Sequence, residues 1–233
     1  KNYGKKIYEQ IKSLIITGKL KAGSSINERE FAAMLGVSRT PLRDALTILE
    51  KEGWVEQNGK MRTVSPLLWR DILELMEIRE SIDMLGFKLA FYKYTKEDFA
   101  YLWGILQEMM DITAHDNKSY YNIMALDTSF HRYINKKSGN SMLFTFSEEM
   151  NEKVTRASVI SMRYSGNDGN FFAQEHVPIL QSMESGRYEV ACQLLSEHYH
   201  VWKQRMLSLP GKIGFDPSNL DTPIQEEFVI TDK

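Results

Sequence analysis

Four side chains in the second half of the chain are of types that bind transition metals. Asp127 and His131 are four residues apart in "MALDTSFHRYI", so a helix would place both on one face. His176 follows in "QEHVPIL", and "LLSEHYHVW" adds His198 and His200. One carboxylate and three imidazoles from three helices form a donor set that suits Zn²⁺, Ni²⁺, Mn²⁺ or Fe²⁺. Histidines on amphipathic helices are also commonly exposed or singly hydrogen-bonded, and the residues alone leave both interpretations open.

A second group of residues has the chemistry of a DNA-reading helix. In "SRTPLRDAL", Arg39 and Arg43 stand near the start of a predicted helix. There they oppose the helix dipole by a few tenths to about 1 kcal/mol. A phosphate or a guanine edge would reverse this cost, because the planar guanidinium pairs bidentately with either. Ser38 and Thr40 add hydroxyl donors for phosphate. A solvated face with i,i+4 ion pairs is the alternative interpretation.

The segment around these arginines has the pattern of a winged helix-turn-helix. Three apolar patterns of helical period are followed by the turn signal Asn58-Gly59 between two short β-prone pieces, which predicts a hairpin. Arg29 in the second helix and Lys60 at the wing tip are expected to contact the DNA backbone or minor groove. Ser65-Pro66 marks the end of this domain. The predicted helices cover residues 5–18, 27–36 and 38–53, and the predicted strands cover residues 54–57 and 62–64.

Charge and composition divide the chain at the same place. Residues 1–66 carry 12 basic and 7 acidic side chains, whereas residues 67–233 carry 17 and 24. This asymmetry indicates a basic module joined to an acidic one. No apolar run reaches the roughly 20 residues of a membrane span, and the start of the chain lacks the apolar core of a signal peptide. Because Cys192 is the single cysteine, it has no internal disulfide partner, and we expect a cytoplasmic protein without a membrane partner.

From residue 67 onwards the pattern is helical throughout. Blocks of helical period, separated by short polar breaks, indicate an antiparallel bundle of six helices. The predicted fold class is therefore mainly α, with an N-terminal winged helix-turn-helix followed by a six-helix bundle. The expected domains are 1–66 for DNA binding, 67–210 for the bundle, and 211–233 for a tail without helical period that wraps the surface or stays mobile. The six predicted helices cover residues 69–92, 95–114, 118–137, 141–163, 170–185 and 187–208.

The stretch "ITGKLKAGSSINEREFAAMLGVSRTPLRDALTILEKEGWVE" resembles the N-terminal domain of GntR-type bacterial transcription regulators. That family shows E-x-x-L-A, L-G-V-S-R-T-P-[VL]-R-[ED]-A-L and L-x-x-E-G-[LW]-[VI] in the same order. The wing reads "QNGKMRTV" where the family usually has N-R-G-x-x-V, so the match is weaker at Asn58 and Lys60. The DNA contacts that the resemblance implies, residue by residue, are Arg29, Ser38, Arg39, Thr40, Arg43 and the wing residue Gly59.

Residues 69–208 resemble the all-helical FCD effector domain of the FadR branch of GntR regulators. The family motifs D-x-x-x-H-x-x-[IL], E-H-x-x-I-L and A-x-x-x-[ML]-x-x-H match here at Asp127 to Ile134, Glu175 to Leu180 and Ala191 to His198. The last motif selects His198 over His200, which is about 200° further round its helix. Six helices rather than seven fit the VanR-like subgroup. The implied metal ligands are Asp127, His131, His176 and His198, with zinc favoured over nickel, manganese or iron.

The resemblance also implies a small-molecule effector. A small organic acid is expected to complete the coordination sphere of the metal through its carboxylate. Arg79, in "LMEIRESID", aligns with an arginine often found near the effector in this family and is expected to pair with the acid. A surface ion pair between Arg79 and Asp83 is the equal alternative. Pro178, two residues after His176, predicts a kink in the fifth helix.

These features predict a transcriptional regulator, with repression as the expected mode, that binds a palindromic operator on double-stranded DNA as a homodimer. Effector binding among the bundle helices is expected to shift the DNA-binding heads and so change operator affinity. A metal-dependent enzyme acting on a small carboxylate is the alternative, because three histidines with an open position also describe catalytic zinc. Hydrolysis also requires a general base beside the bound water, and no HExxH or comparable motif is present. We therefore expect no catalytic residues.

Overall fold

The computed structural model describes residues 2–59, 61–116, 119–165, 170–213 and 216–224. These residues form two compact units, one made of the residues up to Trp69 together with 221–224, and the other of Arg70–Leu220. The structure is mainly helical with a small two-stranded sheet, which confirms the predicted fold class. In the described ranges, no helix has both the length and the apolar character that crossing a membrane requires.

The first unit is a winged helix-turn-helix. Its apolar core lies between the first and third helices, where isoleucines spaced by four on the first helix and leucines on the third are buried. Each such side chain stabilises the fold by about 1.5–3 kcal/mol when fully buried. The elements are α1 (Asn2–Ile16), α2 (Glu28–Leu35), α3 (Arg39–Lys51), β1 (Val55–Asn58) and β2 (Met61–Val64), with β1 and β2 paired antiparallel.

Two glycines fix the turn before α3 and the turn of the wing. Gly36 ends α2 with φ 65°, and Gly59 forms the wing turn with φ 64°. A side chain would strain the backbone at a positive φ, whereas glycine adopts it without steric cost. Asn27 caps the start of α2 by accepting hydrogen bonds from the N–H groups of Arg29 and Glu30. The position and direction of α3 therefore follow from the local sequence.

The second unit contains the six predicted bundle helices. Apolar side chains from four of them form one buried cluster, which includes Met109, Ile123, Val159 and Phe172. A short 3-10 turn, Phe91–Lys93, replaces the predicted end of the first bundle helix. The bundle helices are α4 (Trp69–Ala90), α5 (Lys96–His115), α6 (Tyr120–Lys137), α7 (Ser141–Ser165), α8 (Asn170–Glu184) and α9 (Tyr188–Leu207).

The end of the described chain differs from the tail without helical period that the sequence predicts. A short helix, α10 (Leu209–Ile213), follows α9. Further on, the Trp69 N–H donates to the Thr222 carbonyl at 3.0 Å, and the Ile224 N–H donates to the Leu67 carbonyl at 2.8 Å. Ile224 is buried. Residues 222–224 therefore pack in the first unit, because pairing satisfies their backbone groups and burial removes an apolar side chain from water.

Candidate metal centre and DNA-reading face

The four candidate metal ligands converge inside the bundle. Asp127 and His131 are one turn apart on α6, His176 is on α8, and His198 is on α9. All four side chains are buried, and His176 is fully inaccessible to solvent. One potential ligand atom from each residue lies within 4.8 Å of the others. Three helices that are distant in sequence thus bring one carboxylate and three imidazoles to a single point.

The distances between these atoms fit a single metal ion. The Nε2 atoms of His131 and His176 are 3.2 Å apart, and Asp127 Oδ1 lies 3.3 Å from His176 Nε2. Zn–N bonds of about 2.0–2.1 Å place two nitrogen ligands of one ion roughly 3.0–3.4 Å apart. The donor set and its spacing would therefore hold a divalent ion.

In two of the three imidazoles, Nδ1, the ring nitrogen that faces away from the other ligands, lies within hydrogen-bond distance of an acceptor. His176 Nδ1 lies 2.7 Å from the Phe172 carbonyl, which can only accept, so Nδ1 carries the proton. His198 Nδ1 lies 3.2 Å from Glu175 Oε2, and Arg205 holds the same carboxylate with a hydrogen bond of 3.2 Å. Outer partners of this kind fix the tautomer of a ligand histidine. Both Nε2 atoms consequently present a lone pair.

In the third imidazole, His131, Nδ1 is hydrogen-bonded to a tyrosine hydroxyl that also contacts a carboxylate. The hydroxyl of Tyr199 donates to Asp83 Oδ2 at 2.6 Å and lies 3.0 Å from His131 Nδ1. Because its one proton is used on the carboxylate, the hydroxyl oxygen accepts from Nδ1–H of His131. The Nδ2–H of Asn135 also donates to Asp83 Oδ1 at 2.5 Å. Asp83 and Tyr199 therefore orient His131 with its Nε2 lone pair toward the other ligands.

Arg79 contacts the fourth ligand. Its Nη2 donates to Asp127 Oδ2 at 3.1 Å, and its Nε lies 3.6 Å from Asp83 Oδ2. Only 3% of Arg79 is exposed, and its guanidinium lies over the Trp202 ring at 4.8 Å. The ion pair with Asp83 that was the expected alternative is present, but it is buried and not on the surface. With Oδ2 held by Arg79, Oδ1 of Asp127 is the oxygen that faces the imidazoles.

Burial sets the protonation states at this centre. It lowers the pKa of His131 well below its usual range and that of His176 to about 4. Burial alone would raise the pKa of Asp127, but the positive charge of the nearby Arg79 helps to hold that pKa below its usual range. Neutral imidazoles and an ionised carboxylate are the states that metal binding requires.

The remaining histidines lie elsewhere. His200 on α9 and His115 at the end of α5 are both exposed. Pro178 lies inside α8, which runs without interruption from Asn170 to Glu184, and His176 still reaches the centre.

The predicted DNA-contacting residues that the structure describes all lie on the surface of the first unit. Leu42, Leu46 and Leu49 are buried on the inner side of α3, which leaves its other side accessible. Ser38 occupies the N-cap position, but its side chain makes no capping hydrogen bond. Lys60 lies outside the described residues. The exposed residues are Arg29, Ser38, Arg39, Thr40, Arg43 and Gly59.

The helix-turn-helix brings two of these arginines together. Arg29 on α2 and Arg39 on α3 both line the open groove that runs past Ser38. A second depression continues from the same two arginines to Asn58 and Met61 on the wing hairpin. The first-turn N–H groups of α3 add donors beside this basic groove.

The structure adds contacts around the candidate sites that the sequence did not indicate. Tyr199, Asp83 and Glu175 support the candidate ligands, and Glu28 contacts Arg43. Glu175 stands next to His176 in sequence, yet it supports His198 across the bundle. Helical spacing could place Asp83 one turn from Arg79, but no sequence signal connects either residue to the histidines.

Comparison with known families assigns both units. Residues 4–64 match the family described as bacterial regulatory proteins, gntR family, and residues 74–201 match the FCD domain. The second match alone covers more than half of the chain.

Relatives and solved structures agree with this assignment. The HTH-type transcriptional regulator YdhC of Bacillus subtilis is 26% identical over 200 residues, which cover 85% of this chain and 88% of the relative. A relative named "Probable D-xylose utilization operon transcriptional repressor", from Paenarthrobacter nicotinovorans, is 27% identical over 188 residues, 79% of this chain and 80% of the relative. The solved structure of E. coli McbR/YncC has a TM-score of 0.74 at 19% identity, covering 88% of this chain and 97% of that chain, and it shares the fold.

Proposed function

The chain belongs to the GntR family of bacterial transcription regulators and carries an FCD domain, so it is a DNA-binding regulator and not an enzyme. We propose that a small carboxylate bound at a metal centre controls its affinity for an operator. The observation that carries the proposal is the convergence of four buried ligand atoms within 4.8 Å. The metal-dependent enzyme considered from the sequence is set aside, since the relatives are named as regulators.

We propose that the DNA contacts are Arg29, Ser38, Arg39, Thr40, Arg43 and Gly59. Their common exposure on α2, α3 and the wing supports this, as does the groove that Arg29 and Arg39 share. The free hydroxyl of Ser38 and the N-terminus of α3 suit phosphate, whereas arginine suits guanine edges. The name of the xylose-operon relative favours repression. We propose a cytoplasmic location, because operator binding requires access to the chromosome.

At the metal centre, Asp127, His131, His176 and His198 would hold the ion, with zinc first among the candidates. A bound divalent ion would supply positive charge that attracts a carboxylate in a buried site. Arg79 lies beside Asp127 and is our candidate for an additional contact to the acid. An effector can change DNA affinity only by its different affinity for the two states of the protein, so the acid must bind one of them more tightly. The six bundle helices support assignment to the VanR-like subgroup.

We propose that the protein acts as a homodimer on a palindromic site. Apolar side chains repeat along one stripe of α4 at the heptad spacing of helix-pairing surfaces. Ile78 is 52% exposed, Leu85 49% and Leu89 40%, and Ile82 between them is partly exposed. A two-fold axis through such a stripe would bury it on both subunits at once.

One experiment tests metal, effector and DNA together. Full-length protein is purified without chelator or polyhistidine tag, its metal content is measured, and it is used to select bound duplexes from a random DNA pool. Fluorescence anisotropy on the selected duplex is then repeated with a panel of small carboxylates, for wild type and for His131→Ala. We expect about one metal per chain, and a carboxylate that shifts duplex affinity by about 5- to 150-fold, a typical coupling of 1–3 kcal/mol.

The His131→Ala protein separates the two parts of the proposal. It should retain duplex binding, because the ligand is in the bundle, but it should lose both the metal and the response to the carboxylate. A wild type as poor in metal as the variant would contradict the metal centre. Duplex binding that no carboxylate alters would contradict control by an acid.

A further inference from the structure

Arg43 has a protein partner on the reading face, and this partner restricts the direction of its guanidinium. Its Nε donates to Glu28 Oε2 at 2.6 Å, from α3 to the first residue of α2. The side chain of Arg43 is nevertheless 60% exposed. With Nε engaged, the two terminal Nη groups are the donors best placed for a molecule outside the protein.

Glu28 is itself held from the opposite side by the wing. Its Oε1 accepts from Arg62 Nη1 at 3.1 Å. Arg62, on β2, is only 14% exposed and also donates to Thr47 Oγ1 at 3.2 Å and to Glu50 Oε2 at 3.4 Å. A partly buried arginine with three partners fixes the carboxylate of Glu28, and Glu28 then fixes Arg43.

Stability alone is a weak reason for this arrangement. The Arg43–Glu28 pair contributes little to folding, because water screens an arginine side chain that is 60% exposed and two long side chains lose freedom. A carboxylate on a surface that faces DNA phosphates also lowers the affinity for any duplex. The contact therefore has a cost for DNA binding that a different benefit must offset.

We propose that Glu28 is a specificity-determining residue for DNA reading. By holding Nε of Arg43, it presents the two Nη groups end-on, the geometry that matches the N7 and O6 acceptors of guanine. Arg43 then loses less side-chain freedom when it meets the correct base, and it reorients less readily toward a wrong base or a phosphate. Glu28 thus lowers overall affinity and raises discrimination at one base pair. This inference rests on the proposed DNA contact of Arg43.

The test compares full-length wild type with Glu28→Ala, Arg43→Ala and a matched control, Asp44→Ala. Asp44 is exposed on α3 beside Arg43 and has no ion-pair partner among the residues that the structure describes. Each protein selects duplexes from a random DNA pool, and anisotropy measures affinity for the selected duplex and for a scrambled one. Thermal melts check that every variant folds, and Glu28→Gln replaces Glu28→Ala if the latter does not.

We expect Glu28→Ala to lose base preference at the same operator position as Arg43→Ala and at no other position. The ratio of affinities for the preferred base and the other bases should fall there by about fivefold or more, which is within the range of a bidentate contact. Its affinity for scrambled DNA should rise about as much as that of Asp44→Ala, because both remove one negative charge. A Glu28→Ala protein with wild-type base preferences, or with affinity raised equally for all sequences, overturns the inference but leaves the proposed DNA contacts intact. A wild type that selects no sequence contradicts the proposed operator reading instead.

Discussion

The Nε2 atoms of His131 and His176 face each other at 3.2 Å inside the bundle. The outer nitrogen of each ring carries its proton toward an acceptor, so the two facing atoms present lone pairs. Burial lowers the pKa of both rings, which disfavours a shared proton. Two facing lone pairs repel each other unless a cation lies between them. A divalent ion between the two atoms would remove this repulsion, which supports the proposed metal centre.

Metal removal should lower the stability of the bundle. A ligand present at about 100 times its dissociation constant stabilises the native state by about 2.7 kcal/mol. For a unit of this size, that loss corresponds to a fall in Tm of roughly 5–10 °C. Circular dichroism melts with and without EDTA check this, with metal content measured in parallel. His176→Leu is the control, since it should melt at one temperature in both buffers; equal wild-type Tm values would contradict metal binding.

Tyr199→Phe should weaken metal binding while all four ligands remain. The variant removes the hydroxyl that accepts from His131 Nδ1 and donates to Asp83. Loss of such an outer partner typically costs about 10- to 100-fold in metal affinity. Competition with a chromophoric chelator measures the change. Tyr133→Phe removes a similar hydroxyl, bound to Asp98 at 2.5 Å, and should leave metal affinity unchanged; an equal loss in both variants would argue for general destabilisation.

Two glycines in helices should respond in opposite ways to alanine. A Cβ at Gly86 would lie 2.1 Å from Asn135 Oδ1, and Asn135 is fully buried and bonded to Asp83. Gly86→Ala should therefore destabilise the bundle by about 1–3 kcal/mol. Gly104 is exposed on α5 and a Cβ there would meet no neighbouring atom within 4 Å, so alanine should stabilise by about 0.5–1 kcal/mol. Urea unfolding of both variants tests the pair, and a shift of the same sign in both would refute the packing argument.

Leu85→Lys should dissociate the proposed dimer. A charge in the middle of the α4 stripe would be buried against a second copy without a partner, at a cost of several kcal/mol. Light scattering coupled to size exclusion should find wild type as a dimer and the variant as a monomer. Val190→Lys, at a side chain on α9 that is 42% exposed, serves as the control and should remain dimeric. If Leu85→Lys stays dimeric, the interface lies elsewhere on the chain.

The winged unit was predictable from sequence in most of its detail, because its signals are local. Gly36 and Asn58-Gly59 mark turns, and the apolar spacing of α3 determines which side the arginines occupy. The hairpin strands moved by only one residue from the prediction. The pairing of Ile224 with Leu67 was not predicted, since contacts between chain segments so far apart have no local pattern.

The candidate metal centre was predictable in its ligands but not in their support. Helical spacing places Asp127 and His131 on one face, and a family motif separates His198 from His200. The apolar pattern around Tyr199, by contrast, is the same whether the tyrosine only fills the core or also bonds to a ligand histidine. The same limit applies to Glu28, which reads in sequence as an ordinary acid in the first turn of a helix.

Acid should weaken the bundle partly through Asp98, at the start of α5. Asp98 completes a capping box with Thr95 and contacts Tyr133 and Lys137. Burial alone would raise the pKa of Asp98, but Lys137 and Tyr133 outweigh it and hold that pKa below its usual range. The ionised side chain therefore stabilises the fold above its unfolded-state pKa of about 3.9, and this contribution is lost as the pH falls below it.

Asp98→Asn should accordingly cost about 1–3 kcal/mol at pH 7. Its stability should also fall less steeply than that of wild type as the pH drops from about 4 toward 2, because in that range the wild-type carboxylate takes up a proton in the unfolded state but stays ionised in the folded state. Urea unfolding of metal-free protein across this range measures both effects. Asp111→Asn, at an exposed side chain on the same helix, should change stability by less than about 0.5 kcal/mol. Parallel pH curves for wild type and Asp98→Asn would contradict the role assigned to this carboxylate.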